Sequence, residues 1–161
     1  MPVEIVVNMA DARISNRDEV TLATYSLGSC IGLAMYDGVA RVGGLLHYQL
    51  PCSTLNPDNA RRNPFMFADT GLERLLALMT SAGASIRRLQ IKLAGAAQMF
   101  AATSELFSVG RRNHTSVRKL IWQHGLFIAA EDIGGSDPRH MFLDIADGAV
   151  RIRKQGQSTK L

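Results

Sequence analysis

No stretch of this 161-residue chain approaches the roughly 20 consecutive apolar residues that a membrane-crossing helix needs. The start, Met1-Pro2-Val3-Glu4-Ile5-Val6-Val7, lacks both a basic leader segment and an Ala-x-Ala cleavage site, so a cytoplasmic chain without membrane insertion is expected. There are only two cysteines, Cys30 and Cys52, and in a reducing compartment free thiols are the default over a disulfide. A metal site built from Cys30, His47 and Cys52 lacks any close C-x-x-C or H-x-x-x-H spacing to support it. Aromatics are scarce at 6%, Trp122 is the single tryptophan, and no nucleic-acid-binding motif occurs, so no nucleic-acid partner is expected. Walker and Rossmann fingerprints, internal repeats and low-complexity tracts are also missing.

What remains is ordinary globular composition, 47% hydrophobic and 20% charged, in a length that suits one domain. The net charge of +4 comes largely from pairs: Arg61-Arg62, Arg87-Arg88, Arg111-Arg112 and Arg118-Lys119. Their sum favours an acidic partner. Apolar alternation predicts strands at Val3 to Val7 and Glu19 to Tyr25 around a polar loop, Asn8 to Asp18, then a β-meander through Ile31 to Tyr36 and Arg41 to Leu50. Cys52 to Pro64, rich in Asn, Pro and Arg, reads as a mobile surface loop. Helical spacing of Phe67, Leu72, Leu75, Leu76 and Met79 predicts a helix over Phe65 to Ala82, stopped by Gly83. Leu89 to Ala94 reads as a strand, Met99 to Phe107 as a short apolar segment, and Asn113 as the N-cap of a helix ending at Gly125. Strands at Phe127 to Ile133, Met141 to Ala146 and Ala149 to Arg153 follow, the last two joined by an Asp147-Gly148 hairpin. Residues 1–18 are expected to be a variable N-terminal segment and 155–161 a frayed tail. This order does not alternate regularly, so the expected class is α+β, a layered domain of mixed β-sheets packed with two main helices.

Two residues carry chemistry. Cys30 follows a tight turn, Leu27-Gly28-Ser29, and His47 lies in the next strand-like run, Val42-Gly43-Gly44-Leu45-Leu46-His47. A thiol is a nucleophile as thiolate, and a neighbouring imidazole is the common device for making it one. Period-two alternation puts Cys30, Gly32 and Ala34 on one strand face, and His47 with Leu45 and Gln49 on one face of the next. Gly28 and Ser29 let the backbone turn so that N–H groups face a developing oxyanion. A buried structural thiol beside a satisfied core histidine fits the same two residues equally well on local chemistry. His114, His124 and His140 fall on helix or loop surfaces and read as solvated.

Ordered blocks tip that balance. Thr24-Tyr25-Ser26-Leu27-Gly28-Ser29-Cys30, Tyr36-Asp37, Val42 to His47 and Leu50-Pro51 resemble the CheD family of chemoreceptor glutamine deamidases, with the same Cys-to-His separation. Lys92 to Phe100 is similar to that family's Lys-x-x-Gly-Gly-Ala-x-Met stretch, Val109 to Asn113 to its Ile-Gly-x-x-Asn turn, and Asp132 to Gly135 with Arg139 to its Gly-Gly-x-x-x-Arg approach. The likeness runs from about Glu19 to Arg153. Ser26 and Ala96 stand where the family has glycine, Ala94 replaces an aromatic, and Pro138 replaces a glycine beside Arg139.

The resemblance implies Cys30 as nucleophile, His47 as general base and acid, and Thr24 as the residue orienting the imidazole, with Gly28 and Ser29 at the substrate or oxyanion position. It implies Gln-to-Glu conversion on methyl-accepting chemoreceptor cytoplasmic helices with no cofactor and no metal. It also leaves open an interaction module that regulates a CheC-type phosphatase.

Overall fold

A computed structural model of the chain describes residues 1–98 and 108–161; the apolar segment expected at Met99 to Phe107 lies outside the described residues. Strand alternation sorts the side chains into two cores. In β4 (Ile31–Asp37), Ile31, Leu33 and Met35 enter one apolar cluster, while Ala34 enters the other. In β5 (Val42–Tyr48), Leu46 and Tyr48 join the first cluster and Leu45 the second. A strand buried on both faces needs cover on both sides. The first cluster is closed by the helices α2 (Ala68–Ser81) and α3 (Val109–Gln123), through Leu72, Leu75, Leu76, Met79, Val117 and Ile121. The second cluster is closed by another sheet, through Val20, Leu22, Leu27, Met141, Leu143 and Ile152.

The architecture is therefore three layers, sheet on sheet on helices, and both sheets are mixed as the α+β expectation holds. One carries β1 (Val3–Val6), β3 (Val20–Leu27), β8 (Arg139–Asp144), β9 (Val150–Lys154) and β10 (Gln157–Lys160), in the order β1-β3-β8-β9-β10. The helix-covered sheet has the order β2-β5-β4-β6-β7, with β2 (Asp11–Ser15), β6 (Gln90–Gly95) and β7 (Ile128–Ile133). Among the described residues no helix is long and apolar enough to cross a membrane.

Several sequence expectations change here. The expected meander of Ile31 to Leu50 is present as the antiparallel pair β4 and β5, but β3, the strand before it, pairs with β8 in the opposite sheet. The chain crosses between sheets at Gly28-Ser29-Cys30, just after Ser26 at φ 59°. The polar loop of Asn8 to Asp18 contains β2, an edge strand with only Ala12 and Ile14 as apolar residues, which pairs antiparallel to β5 with Asp11 opposite His47. The stretch Cys52 to Pro64 is folded: α1 (Pro57–Arg62) has proline at its start and the Asn56 side chain accepting from Asn59 N–H at 3.1 Å. The tail does not fray. Gln155 and Gly156, at φ 52° and 76°, make the two-residue left-handed turn that suits a hairpin, and β10 pairs antiparallel with β9. The last helix begins at Val109, with Ser108 at its cap, so Asn113 lies in its second turn and is fully buried.

Candidate active site

Thr24, Cys30 and His47 reach one place from three parts of the fold: the outer sheet, the crossing loop and the helix-covered sheet. Gly32 pairs with His47 across β4 and β5, and Cys30, two residues earlier, is therefore a diagonal neighbour of His47 on the inter-sheet face. Cys30 packs there against the second apolar cluster, half-buried. Small residues make the room. A Cβ added at Gly32 would lie 2.8 Å from Met141 Sδ and 3.5 Å from Thr24 Cγ2.

The hydrogen bonds determine the state of the imidazole. The Thr24 hydroxyl donates to the Val7 carbonyl at 2.7 Å, and the same oxygen lies 2.7 Å from His47 Nδ1. A carbonyl only accepts and a hydroxyl has one proton, so Nδ1 must be the donor to Thr24 Oγ1. In the neutral ring this leaves Nε2 with a bare lone pair, and Nε2 is buried with no hydrogen-bond partner among the described residues. Burial holds His47 down at about 4, well below an ordinary histidine. Burial also raises the Cys30 thiol above its ordinary value, against a smaller lowering by its own backbone N–H. Both shifts favour the neutral pair, thiol beside imidazole, over a preformed ion pair.

The loop carrying the thiol is strapped down through its carbonyls. Gly28 O accepts from Ala97 N–H at 2.8 Å, Ser29 O from Asn113 Nδ2 at 2.9 Å, and Cys30 O from Ala96 N–H at 2.9 Å. In a trans peptide the C=O and the following N–H point opposite ways. The N–H groups of Ser29 and Cys30 consequently face away from these straps. Ala96 takes φ 53°, and Gly110 at the start of α3 presses on it so closely that a Cβ there would lie 2.8 Å from Ala96 O. Two of the three positions where family resemblance expects glycine, Ser26 and Ala96, thus have left-handed backbone.

Other site-side residues differ from expectation. His140 is half-buried: its Nδ1 accepts from Ser26 N–H at 3.0 Å and its ring lies 5.1 Å from Tyr25. His114 pairs with Glu131 at 2.9 Å and His124 with Glu73 at 3.1 Å. Arg139 is buried and stitches the 132–137 loop, bonding Asp132 Oδ1 at 2.6 Å, Asp137 O at 2.9 Å and Gly134 O. Cys52 is not brought into the site by any bond; its sulfur meets Thr54 Oγ1 at 3.0 Å, and no cluster of three or more potential metal ligands exists among the described residues.

A family model described as CheD chemotactic sensory transduction matches residues 49–154. A protein of Solibacter usitatus named "Probable chemoreceptor glutamine deamidase CheD" is 42% identical over 158 residues, covering 98% of this chain and 93% of its own length. The chain belongs to the CheD family. A Syntrophus aciditrophicus member named "Probable chemoreceptor glutamine deamidase CheD 1" is 40% identical over 153 residues, 95% of each chain. One from Thermococcus kodakarensis, with the same name as the first, is 41% identical over 152 residues, 94% of this chain and 92% of its own. The family-model match begins two residues after His47, whereas the Solibacter relative aligns along nearly the whole chain and so takes in residues 24–47.

Proposed function

We propose that this CheD-family chain is a chemoreceptor glutamine deamidase that works through a Cys30 thioester. The observation that carries the reading is the directed pair of bonds from His47 to Thr24 to Val7, which leaves Nε2 unprotonated and, among the described residues, unpartnered on the face where Cys30 lies.

The chemistry follows from those groups. As Cys30 sulfur attacks the side-chain carbonyl carbon of a receptor Gln, its proton passes to His47 Nε2. Ser29 and Cys30 N–H groups, with Gly28 allowing the turn, stabilise the oxyanion. The Nε2 proton then goes to the departing nitrogen, the C–N bond breaks, and ammonia leaves a γ-glutamyl thioester. Water loses a proton to Nε2 and adds to the thioester; the C–S bond breaks, sulfur recovers the proton, and Glu remains. The sum is Gln plus water giving Glu plus ammonia, balanced without a cofactor.

The test is peptide mass spectrometry of a receptor cytoplasmic fragment incubated with wild type and with Cys30→Ala. A Gln-to-Glu mass increase at defined sites with wild type alone supports the reading. Equal conversion by both chains, or none by folded, reduced wild type on cognate receptors, sinks it and turns attention to a regulator of a CheC-type phosphatase.

The state of the pair sets a pH dependence. With His47 held at about 4 and the thiol raised, the reactive neutral pair persists across the physiological range. Ammonia release under kcat/KM conditions should be nearly level from about pH 5.5 to 8, with its acid limb near pH 4. An acid limb centred at 6.5 would show that His47 is not held neutral by burial.

A further inference from the structure

Asn113 is fully buried in the second turn of α3, where an asparagine adds nothing to apolar packing. Its Nδ2 donates to Ser29 O at 2.9 Å and to Gln49 O at 2.8 Å. Two carbonyl partners require the NH2 end of the amide at that spot, which settles its orientation. Its backbone carbonyl accepts from the Tyr48 hydroxyl at 2.7 Å. Three bonds therefore converge on one helical residue from the segments on either side of the reaction: Ser29 adjoins Cys30, and Tyr48 and Gln49 follow His47.

The Ser29 bond turns the Ser29–Cys30 peptide so that the Cys30 N–H points away from α3. The Gln49 and Tyr48 bonds hold the end of β5 to the same helix. The Oδ1 atom is buried without a partner among the described residues, so the donor side alone orients this side chain. Gly110, one turn earlier, seats the helix against Ala96 and Ala97, whose N–H groups bind Cys30 O and Gly28 O.

We infer that Asn113 is a positioning residue that sets the distance between the Cys30 thiol and His47 Nε2 by clamping the nucleophile loop and the end of β5 to α3. The inference rests on Cys30 and His47 being the reacting pair. It does not rest on which amide they attack.

The test reads the thiol directly. Cys30 alkylation by iodoacetamide is followed by peptide mass spectrometry from pH 5 to 9 in wild type, His47→Gln, Asn113→Ala, Asn113→Asp and the His47→Gln/Asn113→Ala double variant. Cys52 in the same digest reports general accessibility. Asn113→Asp keeps the shape and removes the donors. The expected result is a Cys30 rate lowered roughly 10- to 100-fold in folded Asn113 variants, with a pH profile that converges on that of His47→Gln. The double variant should be no slower than His47→Gln alone, because residues acting as a unit are not additive. Cys52 should be unchanged. Wild-type alkylation of Cys30 in a folded Asn113 variant overturns the inference, and so does additive behaviour in the double variant. Failure of both Asn113 variants to fold overturns it too, by assigning the residue to the scaffold. Should wild type convert no receptor Gln, the deamidase reading fails while the alkylation profile still decides the role of Asn113.

Discussion

Replacing His47 with Gln is expected to lower the deamidation rate roughly 10²- to 10⁴-fold, the range for removing a general acid–base group, while the chain stays folded. The geometry separates two parts of this effect. In the proposed mechanism Nε2 performs the proton transfers, whereas Nδ1 holds the ring through Thr24. Thr24→Val keeps the imidazole but removes its acceptor and strands the Val7 carbonyl, so the rate should fall roughly 10- to 100-fold with KM little changed, and stability should drop by about 2 kcal/mol. Thr24→Ser retains the hydroxyl and should recover most of both. A Thr24→Val chain with full kcat would remove the orienting role.

The same substitution at 47 carries a stability signature. A histidine at about 4 when folded and near 6.5 when unfolded binds fewer protons in the folded chain between those values. Folding stability then falls as pH drops from 6.5 towards 4, by on the order of 3 kcal/mol. Asp37 and Asp144, both held below their ordinary values, the former by Arg88, lose their contribution at still lower pH. His47→Gln should remove most of the loss between pH 6.5 and 4 in denaturant titrations, leaving the lesser share of His140, which burial also lowers, and the more acidic loss.

Gly95→Ala is the second large effect. Gly95 lies at φ 119°, a region open to glycine alone, and a Cβ there would overlap the Cys30 carbonyl oxygen and come within 3.2 Å of Cys30 C and Ile31 Cα. All three contacts are backbone at the β4–β6 ladder, where Gly95 pairs with Ile31, so no side chain can move aside. The overlap also displaces the acceptor of the Ala96 strap. A loss of about 3 kcal/mol or more is expected, lowering the melting temperature by about 10 °C. At temperatures where the variant is folded, Cys30 should still react slowly with receptor Gln because its loop has been pushed. Ala96→Gly, at φ 53°, should be tolerated. Wild-type stability in Gly95→Ala would mean the strap yields freely.

The sequence was most legible where alternation is strict. It put Gly32 and Ala34 on one face of β4 and Leu45 with His47 on one face of β5, and those faces meet between the sheets. The helix over 68–81 was legible through Leu72, Leu75 and Met79. Illegible features depend on partners far along the chain. The placing of β3 in the opposite sheet from β4 and β5 follows from its pairing with β8, more than a hundred residues later. β2 packs on the core with one face only, through Ala12 and Ile14, so two apolar residues suffice. Asn113 looked like a helix cap because asparagine is common there, yet its partners are Ser29 and Gln49. Thr24 rested on family resemblance alone; no local pattern marks a strand threonine whose hydroxyl meets an imidazole from the opposite sheet.

That opposite-sheet bond has a developmental consequence for the molecule. Thr24 belongs to one layer and His47 to the other, so a chain in which the layers have not yet closed has no fixed tautomer at His47 and no loop held against α3. On the proposed mechanism, newly made or partly opened protein therefore carries an unarmed thiol, and chemical competence arrives together with the finished sandwich.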